Sequence, residues 1–237
     1  MAAERPGAGA PGLRVLTWNV HDLLGDPLAV VAVLRSAAAD VVCLQEAPRL
    51  IRTRPRIAAL ARRAGLLFVT GGRESAGTAL LCSMRAVVTG EAAVRLPTSG
   101  CLTRPRGLAH ARIGLPGTAP VHVASVHLGL TPEERALHAA LVVELLAPSG
   151  GTVVVAGDLN EPPGGPAWAA LAAVAADPAP GAPATFPARS PDRRLDAVLT
   201  GPAVTVREYG AWHPDAALVR RASDHHPVLA VLDPPAA

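Results

Sequence analysis

The 237-residue sequence predicts an α/β domain in which two sheets pack face to face with helices outside. Three observations carry that expectation. The chain opens with a β-α-β-α rhythm, passes through several strand-like segments without a helix, and then alternates again; so many strands between helices suggest a second sheet. Half of the residues are apolar and 17% are charged, which suits a sizeable core and not a disordered chain. No linker or fixed-period repeat interrupts residues 13–233, so one domain is expected over 13–234, after a disordered tail at 1–12.

The elements follow in order. "LRVLTWNV" from Leu13 to Val20 alternates as a strand. "DPLAVVAVLRSAA" is a helix with Asp26 as N-cap and Pro27 at its first position. "DVVCLQE" is a buried strand ending in polar groups, and residues 55–64 are helical. "LLFVT", "TALLCS", "AVVTG", "GLAHARI" and "VHVASVHL" are strands. Pro132 to Leu146 is a helix that Thr131 and Glu134 begin as a capping box. "TVVVAGDLN" is a strand, Gly164 to Ala176 a helix, and 177–193 a Pro-rich loop long enough to suggest function. "RLDAVLT", "AVTVREY" and Val228 to Leu232 close the chain as strands.

Composition excludes several chemistries. All 22 basic residues are arginine, so a Schiff-base lysine and a P-loop lysine are both ruled out. Arginine is then the permanent cation for any phosphate. Cys43, Cys82 and Cys101 are scattered and include no CxxC pair, which supports neither a zinc ribbon nor a disulfide framework. The first twelve residues lack an apolar signal region, and no apolar stretch is long enough to span a bilayer. A cytoplasmic enzyme, monomeric, is the expectation.

The chemistry-bearing residues cluster at strand ends. "LTWNV" ends near Asn19, "VVCLQE" in Gln45 and Glu46, "VASVHL" near His127, and "VVVAGDLN" in Asp158 and Asn160; "RLDAVL" supplies Asp196, and "SDHHP" supplies Asp224, His225 and His226. Each alone has a bland reading as a turn residue or a hydrogen-bonded core histidine. Together, carboxylates, amides and imidazoles at one rim suit a hard metal ion and a phosphate. Glu46 with Asn19 beside it would hold the ion, Asp158 would orient or deprotonate a water, and Asn160 and His127 would donate to the phosphate.

The set "TWNV", "LQE", "VHL", "GDLN", "RLD" and "SDHHPV", in this order over residues 17–227, resembles the endonuclease/exonuclease/phosphatase superfamily with its deoxyribonuclease-I-like fold. The resemblance implies a four-layer α/β/β/α sandwich of two mostly antiparallel sheets, and phosphoester hydrolysis with Mg2+, or Mn2+ in its place. It implies Asn19 and Glu46 at the metal, His127 on the phosphate, and Asp158 and Asn160 on the water and phosphate. It selects His225 over His226 as the acting histidine, puts Asp196 behind it as its orienting partner, and places Asp224 at the metal edge.

The remaining polar residues are expected to be structural. His21, His110, His122, His138 and His213 are read as surface or core-satisfied. His122 and His127 lie five positions apart, so in a regular strand only one of them can face the site. Arg104 and Arg106 flank a loop near the cleft and are expected to contact substrate. The arginines from Arg49 to Arg63 are read as a solvated helix face, with a phosphate-backbone patch as the rival. Tyr209 is the single tyrosine and falls near the end, away from where apurinic endonucleases of the superfamily carry theirs. Six aromatic residues and a net charge of +3 disfavour a stacking, strongly electrostatic nucleic-acid binder. A phosphodiesterase or nuclease is the leading reading. The alternatives are a phosphatase, a lipid or inositol phosphodiesterase, and a catalytically silent binding module; a zinc hydrolase would need an HExxH or HxHxDH box that is absent.

Overall fold

The computed structural model describes residues 12–98, 100 and 103–237. Cys101 and all of the predicted tail except Gly12 lie outside the described residues. The first half runs β1 (Leu13–Asn19), α1 (Pro27–Ala37), β2 (Val41–Gln45), α2 (Thr53–Ala64), β3 (Leu67–Gly71), β4 (Ala79–Cys82), β5 (Val87–Leu96) and β6 (Arg106–Gly114). The second half runs β7 (Val121–His127), α3 (Pro132–Leu146), β8 (Val153–Asp158), α4 (Pro166–Leu171), β9 (Asp196–Thr200), β10 (Thr205–Tyr209), α5 (Ala216–Ala222) and β11 (Val228–Asp233).

The strands form a six-stranded sheet, ordered β10-β11-β1-β2-β4-β3, and a five-stranded sheet, ordered β5-β6-β7-β8-β9. Each sheet contains one parallel pair, β1 with β2 and β7 with β8. The other pairings are antiparallel. Both parallel pairs need a crossover helix, and α1 and α3 supply it. Asp26 caps α1 by accepting from the N–H groups of Leu28 and Ala29, and Thr131 caps α3 by accepting from Glu134 N–H.

Alternation along the strands divides the core into three layers. Leu13 and Val15 of β1, Val41 and Cys43 of β2, Val121 and Val123 of β7, and Val154 and Ala156 of β8 meet between the sheets. Leu16 and Trp18 face the other way, against α1, α2 and α5. Ala124, Val126, Val153 and Val155 turn outward against α3 and α4. With period two, the inward set that begins at Leu13 continues to Thr17 and Asn19, that of β2 to Gln45, that of β7 to Ser125 and His127, and that of β8 to Asp158. The layer between the sheets therefore turns from apolar to polar at one end. Gln45 bridges the sheets there: its Oε1 accepts from Thr17 Oγ1 at 3.3 Å, and its Nε2 donates to Ser125 Oγ at 3.1 Å.

Three elements depart from the sequence expectation. The helix expected over 164–176 is only Pro166–Leu171, because the chain turns there and Ala176 exchanges backbone hydrogen bonds with Thr200 at the sheet edge. The "AVVTG" strand extends to Leu96, bulging between Thr89 and Ala92, where Gly90 takes φ 61°. Helix α5 was not expected. It buries only Val219 and Ala222, too few positions to produce a helical period, although Asp215 caps it at Ala217 and Leu218 N–H.

Candidate active site

His225 is fixed on every side. Its Nδ1 lies 2.9 Å from Asp196 Oδ2, and the same oxygen accepts from Thr185 Oγ1 at 2.6 Å. Thr185 is held in turn by the backbone N–H groups of Leu195 and Asp196. Trp18 Nε1 donates to the His225 carbonyl, and His225 N–H donates to Ser223 Oγ, which itself donates to the Asn19 carbonyl. The Phe186 ring packs 4.7 Å from the imidazole, centroid to centroid. These contacts leave Nε2 facing Asp158, 3.8 Å from its Oδ2.

Asp158 lies opposite Asp196 across the β8/β9 ladder. Its Oδ2 accepts from Asn19 Nδ2 at 3.0 Å and lies 3.4 Å from His127 Nε2. Its Oδ1 accepts from Asn160 N–H at 2.9 Å. That bond needs Asn160 in the left-handed region, at φ 52°, which asparagine tolerates better than most residues. Asn160 Nδ2 also donates to Leu128 O, leaving one N–H of its amide for the cleft. Gly157, just before Asp158, has no substitute: a Cβ there would lie 2.0 Å from Val126 O on β7.

Glu46 follows β2 in a left-handed conformation, φ 51°. Its Oε2 accepts from Arg104 Nη2 at 3.1 Å. Arg104 also pairs with Asp22, whose Oδ1 lies 3.5 Å from Arg49 Nε. Asp22 sits in the middle of three successive left-handed residues, His21 to Leu23. Arg106 opens β6 and is buried, 4% exposed, with Nε donating to Leu128 O.

Electrostatics separate the titrating groups. Burial, with the Asp196 charge behind it, pushes the Asp158 carboxyl up to about 6. Burial also opposes an imidazolium at His225, but the charge and hydrogen bond of Asp196, with Asp158 and Asp224, overcome it and raise His225 to about 9. Burial and the neighbouring Arg106 and His225 hold His127 well below its usual 6.5, so it is neutral at pH 7.

The structure thus brings together Asn19, Glu46, His127, Asp158, Asn160, Asp196 and His225, and puts Arg104 at the rim. Asp224 Oδ1 lies 3.8 Å from His21 Nδ1, and both residues line one cleft. Arg106 is a buried cation within electrostatic reach of Glu46 and Asp158. His226 anchors a loop, with N–H donating to Thr185 O and Nε2 3.0 Å from Ala188 O. His110, His122 and His138 are core-satisfied as expected: His122 bonds His110 and Ser149, and His138 ties Gly129 to Pro97. Thr185, Phe186 and Asp22 were not anticipated, Arg49 was named only within the arginine cluster, and Thr185 in "PATFP" carries no signal that could have found it.

The donors suit a hard divalent cation. Ligand atoms of Asp158, Asp196 and His225 lie within 4.8 Å of one another. Asp196 Oδ1 is buried without a hydrogen-bond partner, and the raised Asp158 carboxyl marks a dry site with too much negative charge. A divalent cation held by Glu46 and Asn19, whose amide touches Asp158, would offset that charge without displacing the His225 proton.

The model of the Endonuclease/Exonuclease/phosphatase family matches residues 16–225. The chain belongs to the endonuclease/exonuclease/phosphatase family. Solved structures agree on the fold. An endonuclease/exonuclease/phosphatase of Beutenbergia cavernae shares 25% identity and a TM-score of 0.72, over 95% of this chain and 72% of its own. A mannosyl-6-phosphatase of Bacteroides thetaiotaomicron shares 18% identity and a TM-score of 0.75, over 93% and 99%. TDP2 of D. rerio, complexed with a single-strand DNA product, shares 20% identity and a TM-score of 0.71, over 93% and 98%. No curated protein matches the sequence. The family sandwich packs the two sheets face to face and lets Asn19, His127, Asn160, Asp196 and His225 gather around one carboxylate, Asp158.

Proposed function

We propose that the chain is a divalent-metal-dependent phosphodiesterase. The observation that carries this is geometric: Asp158 and His225, itself held by Asp196, lie 3.8 Å apart at a site that also gathers Asn19, His127 and Asn160. At pH 7 the pair offers a carboxylate base and an imidazolium, which together handle attack by water on a phosphoester.

Asp158 takes the proton of the attacking water, and Asn19 and the Asn160 backbone hold its carboxylate still. His225, kept protonated by Asp196, donates from Nε2 to the charge that grows on phosphorus-bound oxygens. Neutral His127 and the remaining N–H of Asn160 orient the phosphate. Glu46, with Asn19, would hold Mg2+ or Mn2+, which when bound neutralises phosphate oxygens and acidifies water. Arg104, now on Glu46 and Asp22, is the rim arginine within reach of a phosphate.

The test is a panel with magnesium and with manganese: abasic duplex DNA, single-stranded DNA and RNA, a nitrophenyl phosphodiester, sphingomyelin, inositol phosphates and a phosphomonoester. Metal-dependent turnover of a diester is expected. His225→Ala and Glu46→Ala should each lower kcat by several orders of magnitude, on the order of 10²–10⁴-fold or more, with the fold intact by circular dichroism. His226→Ala should cost much less. A dead His226→Ala beside an active His225→Ala would overturn the assignment, turnover of the monoester alone would make the chain a phosphatase, and silence across the panel would favour a binding module.

A further inference from the structure

We infer that the cleft beside Asp224 is a second phosphate-binding subsite, for a phosphate group on the same molecule whose ester reaches His225. The cleft has a volume of about 380 Å³. Three segments wall it: the turn from His21 to Gly25, the loop from Pro187 to Ser190, and the end of α5 continuing to Asp224.

Each wall is tied to the reaction centre. His21 N–H donates to Asn19 Oδ1, and Ser223 Oγ links His225 N–H to the Asn19 carbonyl. Ala188 N–H donates to the Asp224 carbonyl at 2.6 Å, two residues beyond the Phe186 ring that packs on His225. The cleft therefore opens one residue away from the candidate acid, and its distance from the scissile group is fixed by the same hydrogen bonds that fix His225.

Its charge is available. Arg189 and Arg220 line it from two different walls, both exposed, and neither forms an ion pair among the described residues. Arg221 beside them is already neutralised by Asp26. On the other side of the reaction centre, Arg49 and Arg104 are committed to Asp22 and Glu46. Complementing the C-terminal dipole of α5 accounts for Arg220 and Arg221, but not for Arg189, which lies on no helix and faces the same space. Two arginines from separate segments lining one cleft are suited to phosphate oxygens. Asp224 and His21, which line the same cleft, can accept from and donate to hydroxyls of the skeleton joining the two phosphates. The ligand class is a sugar-linked bisphosphate, from a nucleotide or from a free sugar.

Calorimetric titration in EDTA tests this without turnover. Thymidine 3′,5′-bisphosphate is compared with thymidine 5′-monophosphate, and glucose 1,6-bisphosphate with glucose 6-phosphate. In at least one pair the bisphosphate should bind roughly tenfold more tightly, the worth of one charge-assisted contact. The pair that shows it identifies the source, nucleotide or sugar. The advantage should vanish in the Arg189→Ala/Arg220→Ala variant and persist in Arg62→Ala, an exposed arginine on α2. No advantage in either pair, or one that survives the double substitution with the melting temperature unchanged, overturns the subsite. The inference rests on the phosphodiesterase reading only for events at His225, so that reading can fail in the substrate panel while the binding result stands.

Discussion

His225 gains its charge from a neighbour rather than from water. Burial alone would strip the proton from an imidazole that is 5% exposed, and Asp196 reverses the outcome. The consequence for stability has a definite sign. Folded His225 titrates near 9 and unfolded histidine near 6.5, so the folded state binds the extra proton between these values. The contribution is complete below pH 6.5 and is lost as pH rises through 9, on the order of 3 kcal/mol at most. Asp196→Asn should bring the His225 resonance to a lower midpoint in an NMR titration and flatten the alkaline loss of melting temperature; an unmoved midpoint would mean that Asp196 does not hold the proton. The Asp and His of this pair were readable as polar residues beside apolar strands. Thr185, which fixes the Asp, was not: it reaches the site by folding back from a Pro-rich loop, and no local pattern encodes such a contact.

At the scale of elements, strand alternation did most of the positioning. Asn19, Gln45, His127 and Asp158 share the inward parity of the apolar residues before them, so a correct strand assignment already put them on one face. The same rule separated His127 from His122, five residues earlier on β7 and turned outward to His110. Short helices escaped: α5 has two buried positions, and a period cannot be read from two. The β7/β8 contact yields a sharp prediction. Gly157→Ala would drive a Cβ against the Val126 carbonyl, a backbone atom that cannot rotate away. A loss of roughly 2–4 kcal/mol in urea unfolding is expected, and a change within 0.5 kcal/mol would show that the strands separate freely.

Across the whole molecule, the layer between the sheets belongs to both. Leu13, Val41, Val123 and Val154 pack in one cluster, and Gln45 carries a hydrogen bond from one sheet to the other. Neither sheet can keep its inner face covered alone, so calorimetry should record a single unfolding transition with equal calorimetric and van't Hoff enthalpies; two resolved transitions would divide the chain. That two-sheet architecture was visible in the order of strands and helices. The arginine pairing at the rim was not, since Asp22, Glu46, Arg49 and Arg104 are set by three separate loops.

The 3.0 Å bond from Asn19 to Asp158 joins residues of opposite sheets. One residue of strand is about 3.3 Å long, so sliding either sheet by a single position would open that bond entirely. The reaction centre thus works as a vernier between two scales, and side-chain volume in the dry middle layer, far from any phosphate, sets the zero.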